Sequence, residues 1–242
     1  MKVLLLAGTR EARRVAAWLH QTGVPSIASF AGVTRNPELP EIDVRLGGFG
    51  GEDAFRAYLK SEGFTVVLDA THPFASNISL RSERVSREEG LPYLQLLRPS
   101  WQPEGGDQWT QIPREEAASE HIEVGARVFL ATGRQTLDRF HGLHMCHLIC
   151  RQIDPPESPF PFPNGGYLIG RPPFSVEDET ELFSKLRIDW LVVKNAGGAE
   201  SATKLTAARR LGIRVAMIAR PQQPPGEKVE TVEGAIAWLE RQ

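Results

Sequence analysis

Cysteine is scarce in this chain: two residues in 242, Cys146 and Cys150. Two thiols make no disulfide framework, so a reducing compartment is expected. Neither sign of charge is in excess, with 28 Lys and Arg against 30 Asp and Glu. That balance gives no sign of the concentrated basic surface a nucleic-acid binder would need, and no nucleic-acid partner is expected. No apolar run is long enough to cross a bilayer. The chain enters an apolar segment at once with no signal peptide, and a cytoplasmic protein is expected. No short repeat is visible. The full G-x-G-x-x-G fingerprint is missing as well, since only Gly8 stands in the first turn.

The opening stretch organises the rest. Val3, Leu4, Leu5, Leu6 and Ala7 run without polar alternation, which is how a strand covered on both faces reads. Gly8 ends it, and Thr9 suits a helix N-cap. Ala12, Val15, Ala16 and Leu19 then recur at helical spacing. Further strands are expected at 26–31, 42–46, 64–70 and 92–97, with helices near 55 and over 77–89. Residues 98–109, rich in Pro, Gly and Trp, read as a link. The pattern restarts with strands at 127–131, 148–153, 190–193 and 215–219. A capping box at Ser175 and Asp178 opens one helix, and a closing helix contains 235–239. Strands alternating with helices imply parallel sheets. The expected fold class is therefore α/β, with two Rossmann-like parallel-sheet domains, 1–98 and 99–242, and a cleft between them.

In the common doubly wound order the first and fourth strands are neighbours, and ligands bind beyond their carboxyl ends. That places Gly8, Thr9 and Arg10 across one crevice from Thr71, His72 and Pro73. The helix amides at Gly8, Thr9 and Arg10 suit a phosphate. His72 either lines a catalytic crevice, orienting cofactor or delivering a proton, or fixes a turn before Pro73. Asp69 is either catalytic or caps nearby amides. The second strand ends without the acid that binds ribose hydroxyls in NAD sites, and Arg35 lies just beyond. Arg35 thus either takes a 2′-phosphate or is a solvated loop residue. Gly47, Gly48, Gly50 and Gly51 flank Phe49; so many glycines suggest a close approach of backbone to ligand, Gly48 in particular. In the second half, Arg134, Arg171, Lys194 and Lys204 sit in or near loops at strand ends, where cations would meet an acidic substrate. The group His141, His144, Cys146, His147 and Cys150 is not read as a metal site. On one strand the two thiols would stand about 13 Å apart, at ~3.3 Å per residue, so core cysteines are expected and no metal. Trp101 in the link is either packing or a cover for a flat ligand.

The string Asp69-Ala70-Thr71-His72-Pro73-Phe74-Ala75 resembles the precorrin-6A reductase family of corrin biosynthesis. The opening turn from Leu6 to Ala12, the glycine loop from Gly47 to Gly51, and Lys194-Asn195-Ala196-Gly197-Gly198 agree with it. So do Lys204-Leu205, Leu211-Gly212-Ile213 and Arg220-Pro221. Residues 102–122 carry little of the likeness. The resemblance implies a two-domain reductase that passes a hydride from NAD(P)H to a macrocycle double bond of precorrin-6A or its cobalt complex. Its cofactor would be NADPH, with NADH possible, held by the first domain; the second would bind the tetrapyrrole. Two other readings remain open from the residues: a two-domain nucleotide-sugar glycosyltransferase, and a non-catalytic NAD(P)H-sensing module. Oligomeric state is not legible.

Overall fold

The computed structural model describes residues 1–32 and 39–242, and all counts refer to these. The chain forms two compact units, Met1–Pro99 with Pro221–Gln242, and Ser100–Arg220.

The first unit opens with β1 (Val3–Leu6), α1 (Arg10–Thr22), β2 (Ser26–Phe30) and β3 (Asp43–Leu46). It continues through α2 (Glu52–Glu62), β4 (Val66–Asp69), α3 (Ser76–Glu88) and β5 (Tyr93–Leu96). β1 pairs in parallel with both β2 and β4, as expected for a central strand. All four residues of β1 are buried, which is why it carries no polar alternation. α1 starts where Thr9 Oγ1 accepts from the Ala12 amide at 3.1 Å and stops at Gly23, whose φ of 65° favours glycine. Its apolar stripe packs on one face of the sheet. Phe55, Leu59 and Phe64, with Val85 of α3, cover the other.

The second unit contains β6 (Trp109–Ile112), β7 (Arg127–Leu130), β8 (His147–Gln152) and β9 (Gly165–Ile169). α4 (Val176–Leu186), β10 (Trp190–Lys194), α5 (Thr203–Leu211) and β11 (Arg214–Ile218) complete it. The strand order is β6-β11-β10-β7-β8-β9, and every adjacent pair is parallel. Phe129, Ile149, Leu191, Val193, Val215 and Met217 face Phe183 of α4 and Leu205, Ala207 and Ala208 of α5. The alternating residues Val128, Leu130, Leu148, Cys150, Val192 and Ala216 are buried on the opposite face. Two 3-10 helices, Glu115–Glu120 and Arg134–Leu143, belong to that side, the second packing on β8.

The chain then returns to the first unit. β12 (Glu227–Val229) pairs in parallel with β5, and α6 (Val232–Leu239) packs Val232, Ala235, Trp238 and Leu239 into the core beside α1. The expected division 1–98 and 99–242 is corrected accordingly. The last 22 residues, Pro221–Gln242, belong to the first unit because their strand and apolar helix face complete its sheet and core. β6 is a second correction. Residues 98–109 read as a link throughout, yet Trp109 already pairs with Val215.

Candidate active site

In the first unit the loops after β1 and β4 meet. Thr9 Oγ1 donates to the Ala70 carbonyl at 2.7 Å while it caps α1, so one hydroxyl fixes both loops. Gly8 just before it has φ of 141°, a backbone state that side-chain-bearing residues rarely adopt, and open space where a Cβ would stand. Gly8 and Arg10 are exposed at this helix start.

Asp69, 1% exposed, is the knot beneath the second loop. Its Oδ1 accepts from the Thr71 amide at 2.9 Å and the Thr71 hydroxyl at 2.7 Å. Its Oδ2 accepts from the Tyr93 hydroxyl at 2.8 Å. Burial, then the neighbouring Asp69 carboxylate, push the Tyr93 phenol far above its ordinary value, so it stays a donor. Asp69 therefore caps, and its oxygens are engaged within the fold. His72 Nδ1 accepts from the Phe74 amide at 3.2 Å, closing the turn around Pro73. An acceptor Nδ1 puts the hydrogen of the neutral ring on Nε2. Below the turn, Gln223 Nε2 donates to the Pro73 carbonyl at 2.9 Å and to the Pro221 carbonyl at 2.8 Å. Gln223 Oε1 accepts from Gln95 Nε2 at 3.0 Å. Sequence reading missed Gln223 because nothing local ties residue 223 to residue 73.

Gly48 lies after β3, separated from β1 by β2. Arg45 holds this loop, donating to the Gly47 carbonyl at 2.5 Å and the Gly48 carbonyl at 2.8 Å, with its guanidinium 4.0 Å from the Phe49 ring centroid. No atom lies within 4 Å of a Cβ built at Gly48, so the backbone there is approachable. Arg35 lies outside the described residues. The elements of a nucleotide site fit what is present: an open glycine turn, a capped helix start, and an anchored His-Pro loop on the neighbouring strand.

In the second unit Arg134 lies beyond β7, and Lys194 is the last residue of the neighbouring strand β10. Arg134 is exposed. Lys194 Nζ stands 3.4 Å from the buried Glu115 carboxylate, which also accepts from Arg139. Arg171, beyond the edge strand β9, is half-exposed, with Asp154 at 4.0 Å. The structure does not group these with Lys204, which lies on α5 and donates to the Ser201 carbonyl at 2.5 Å, its ammonium 5.8 Å from the Trp101 ring centroid. Desolvation pushes the Lys204 amine down to about 8, against the pull of Glu179. Trp101 is a clamp within its own unit. Its backbone amide donates to Asn195 Oδ1 at 2.8 Å, its carbonyl accepts from Asn195 Nδ2 at 3.0 Å, and its indole donates to the Gly198 carbonyl at 2.9 Å. Arg220 donates to the carbonyls of Asn195 and Ala196 at 2.8 and 3.0 Å, so the Lys194–Gly198 loop is held from two sides. The two cysteines are buried. Burial pushes the Cys150 thiol up to about 11 and raises Cys146 as well, so neither is a ready thiolate.

Comparison with known proteins extends this picture over the whole chain. The family model for "Precorrin-6x reductase CbiJ/CobK" matches residues 2–240. A precorrin-6A reductase of Rhodococcus erythropolis is 44% identical over 241 residues, covering 98% of this chain and 97% of that protein. One from Rhodobacter capsulatus is 40% identical, covering 98% and 95%. A cobalt-precorrin-6A reductase of Priestia megaterium is 29% identical, covering 99% and 98%. The solved structure of a CobK precorrin-6A reductase superposes with a TM-score of 0.95 at 40% identity, covering 100% of this chain and 96% of that one. The strand order, the knotted loops after β1 and β4 and the full-length likeness agree, and the chain belongs to the precorrin-6x reductase family.

Proposed function

We propose that this protein reduces one carbon–carbon double bond of precorrin-6A, the metal-free macrocycle, using NADPH. The observation that carries the reading is the full-length likeness to precorrin-6A reductases, together with a first unit whose loops after β1 and β4 are tied at the carboxyl edge. Five curated relatives named precorrin-6A reductase are 37–44% identical, and three named for the cobalt complex are 26–29% identical. This gap favours the metal-free substrate.

A bound reduced nicotinamide supplies the hydride. The protein's part is to bind, orient and manage a proton. Gly8, Thr9 and Arg10 would receive the pyrophosphate at the start of α1. Arg35 would pair with the 2′-phosphate, since β2 ends at Phe30 with no acid to bind a free ribose hydroxyl. Gly48 would give backbone access, and Thr71, His72 and Pro73 would line the reacting end. His72 is the polar side chain placed at that end, as an orienting group or as the proton source, with water able to serve instead. The second unit would receive the substrate's carboxylates at Arg134, Lys194 and Arg171, with Lys204 contributing less because its charge is disfavoured at its site. Each exposed pair contributes about 0–1 kcal/mol, so affinity rests on several together.

The test is anaerobic NADPH oxidation with precorrin-6A, its cobalt complex, and NADH in place of NADPH. NADPH should be consumed one for one with precorrin-6A, and more slowly in the other two pairings. Binding of NADPH without consumption by either macrocycle would return the protein to a sensing role. Binding of a nucleotide-sugar and not of NADPH would favour the glycosyltransferase reading.

A further inference from the structure

The carboxyl edge of the second sheet holds polar atoms that the fold leaves without partners. Thr132 Oγ1, Thr136 Oγ1 and both amide atoms of Gln152 are buried with no hydrogen bond among the described residues. Gln152 as a whole is 7% exposed. Buried polar atoms in folded proteins are almost always paired, so four in one neighbourhood call for an explanation.

Strand register puts them there. Leu130 of β7 is level with Cys150 of β8 and with Val192 of β10. Continued two residues on, past the end of β7, the same rows set Thr132 at the bend beside Gln152 and Lys194. The intervening Ala131 packs with the apolar cluster on the opposite face, as alternation requires. On the Thr132 side stand the two 3-10 helices, and they contribute Thr136, Arg139 and Glu115. Glu115, 5% exposed, holds the Lys194 ammonium at 3.4 Å and faces Arg139 at 3.4 Å. The Glu115 carboxylate thus stands between two cations, with neutral donors beside it.

From this row we infer that Thr132, Gln152 and Lys194, supported by Thr136, form a carboxylate subsite for one side arm of the macrocycle; this rests on the tetrapyrrole reading above. Lys194 supplies the charge, and the threonine hydroxyls and Gln152 Nε2 supply directed donors. A ligand that only accepts would leave Gln152 Oε1 unanswered. A water entering with the carboxylate arm answers it.

The test compares the parent enzyme with Gln152→Leu, Gln152→Glu and Thr132→Val. It measures precorrin-6A affinity without NADPH, KM and kcat with NADPH, NADPH affinity, and unfolding in urea. Gln152→Leu and Thr132→Val should weaken precorrin-6A binding about three- to tenfold, in Kd and KM alike. NADPH affinity should hold, and folding stability should hold or rise, because an apolar side chain replaces polar atoms without partners. Gln152→Glu, nearly the same shape, should weaken binding more than either by setting a negative charge against the ligand's. Loss of stability in Gln152→Leu with Kd for precorrin-6A unchanged would make the row a structural network and overturn the proposal. An unchanged Kd in Gln152→Glu would do the same even if the leucine variant failed to fold. A parent that binds precorrin-6A but consumes no NADPH defeats the reaction reading alone, and the variants' Kd values still decide the subsite. A parent that does not bind precorrin-6A overturns both.

Discussion

At the carboxyl edge of the first sheet, most polar side chains answer one another, with Gln95 Oε1 the buried exception. Thr9 reaches Ala70, Asp69 takes Thr71 and Tyr93, His72 takes the Phe74 amide, and Gln223 holds Pro73. At the corresponding edge of the second sheet, the backbone loop at Lys194–Gly198 is held as firmly, by Trp101, Asn195 and Arg220. Its neighbours Thr132 and Gln152 nevertheless keep buried atoms without partners. Similar parallel sheets thus end in different ways. The first presents a loop frame already set by its own hydrogen bonds, suited to a cofactor met through backbone and a few charges. The second presents side chains whose hydrogen bonds are incomplete in the protein alone, suited to a ligand that completes them. Substitutions at the first edge should therefore cost stability and cofactor affinity, and those at the second should cost substrate affinity.

The largest effect is expected at Asp69. Asp69→Ala takes the acceptor from two Thr71 donors and leaves the Tyr93 hydroxyl only the Ser79 carbonyl at 3.4 Å, and should cost about 3 kcal/mol in urea unfolding. A variant of parental stability that lost only turnover would make Asp69 catalytic after all. Arg35→Ala is next. It should weaken NADPH by about 1.5–3 kcal/mol, roughly ten- to a hundredfold, and spare NADH; equal weakening of both would remove Arg35 from the 2′-phosphate. Gln223→Ala withdraws the donor to Pro73 and the acceptor of Gln95, and should cost about 1–2 kcal/mol of stability. Its turnover should fall with precorrin-6A affinity unchanged, whereas a changed substrate affinity alone would blur the division between the two edges.

The smallest effect is a pH dependence at Lys204. Burial lowers its amine from 10.5 to about 8 in the folded state. Below pH 8 both states carry the proton, and the folded one pays for it. Between pH 8 and 10.5 the unfolded chain binds more protons, so stability rises with pH there. Measured against Lys204→Met, the parent should gain about 1 kcal/mol across that window, discounted because the ammonium is partly solvated. Parallel stability curves for the two proteins would place the ammonium in ordinary solvent.

Much of the frame was legible because it is local. The apolar run at Val3–Leu6, the cap at Thr9 and the box at Ser175 and Asp178 each declare themselves within a few residues. Adjacency of β1 and β4 followed from the alternation of strands and helices. β6 and β12 were not legible: one follows a Gly- and Pro-rich stretch with an exposed Gln111, and the other is Glu-Lys-Val after Pro224-Pro225-Gly226. Neither has an apolar period to read, and partners far along the chain stabilise both. That is why the return of the C-terminal residues to the first unit, and with it Gln223, went unseen. The cations of the second unit were visible as charges. Thr132 and Gln152 carry no signal in sequence, because only register brings them beside Lys194.

The most direct measurement is a single turnover of precorrin-6A with NADPH deuterated at both C4 positions, followed by mass analysis of the macrocycle. One deuterium should appear on carbon in the reduced product and should survive exchange into ordinary water, with one NADPH consumed. A product without deuterium, or NADPH consumed with the macrocycle unchanged, would contradict direct hydride transfer by this protein.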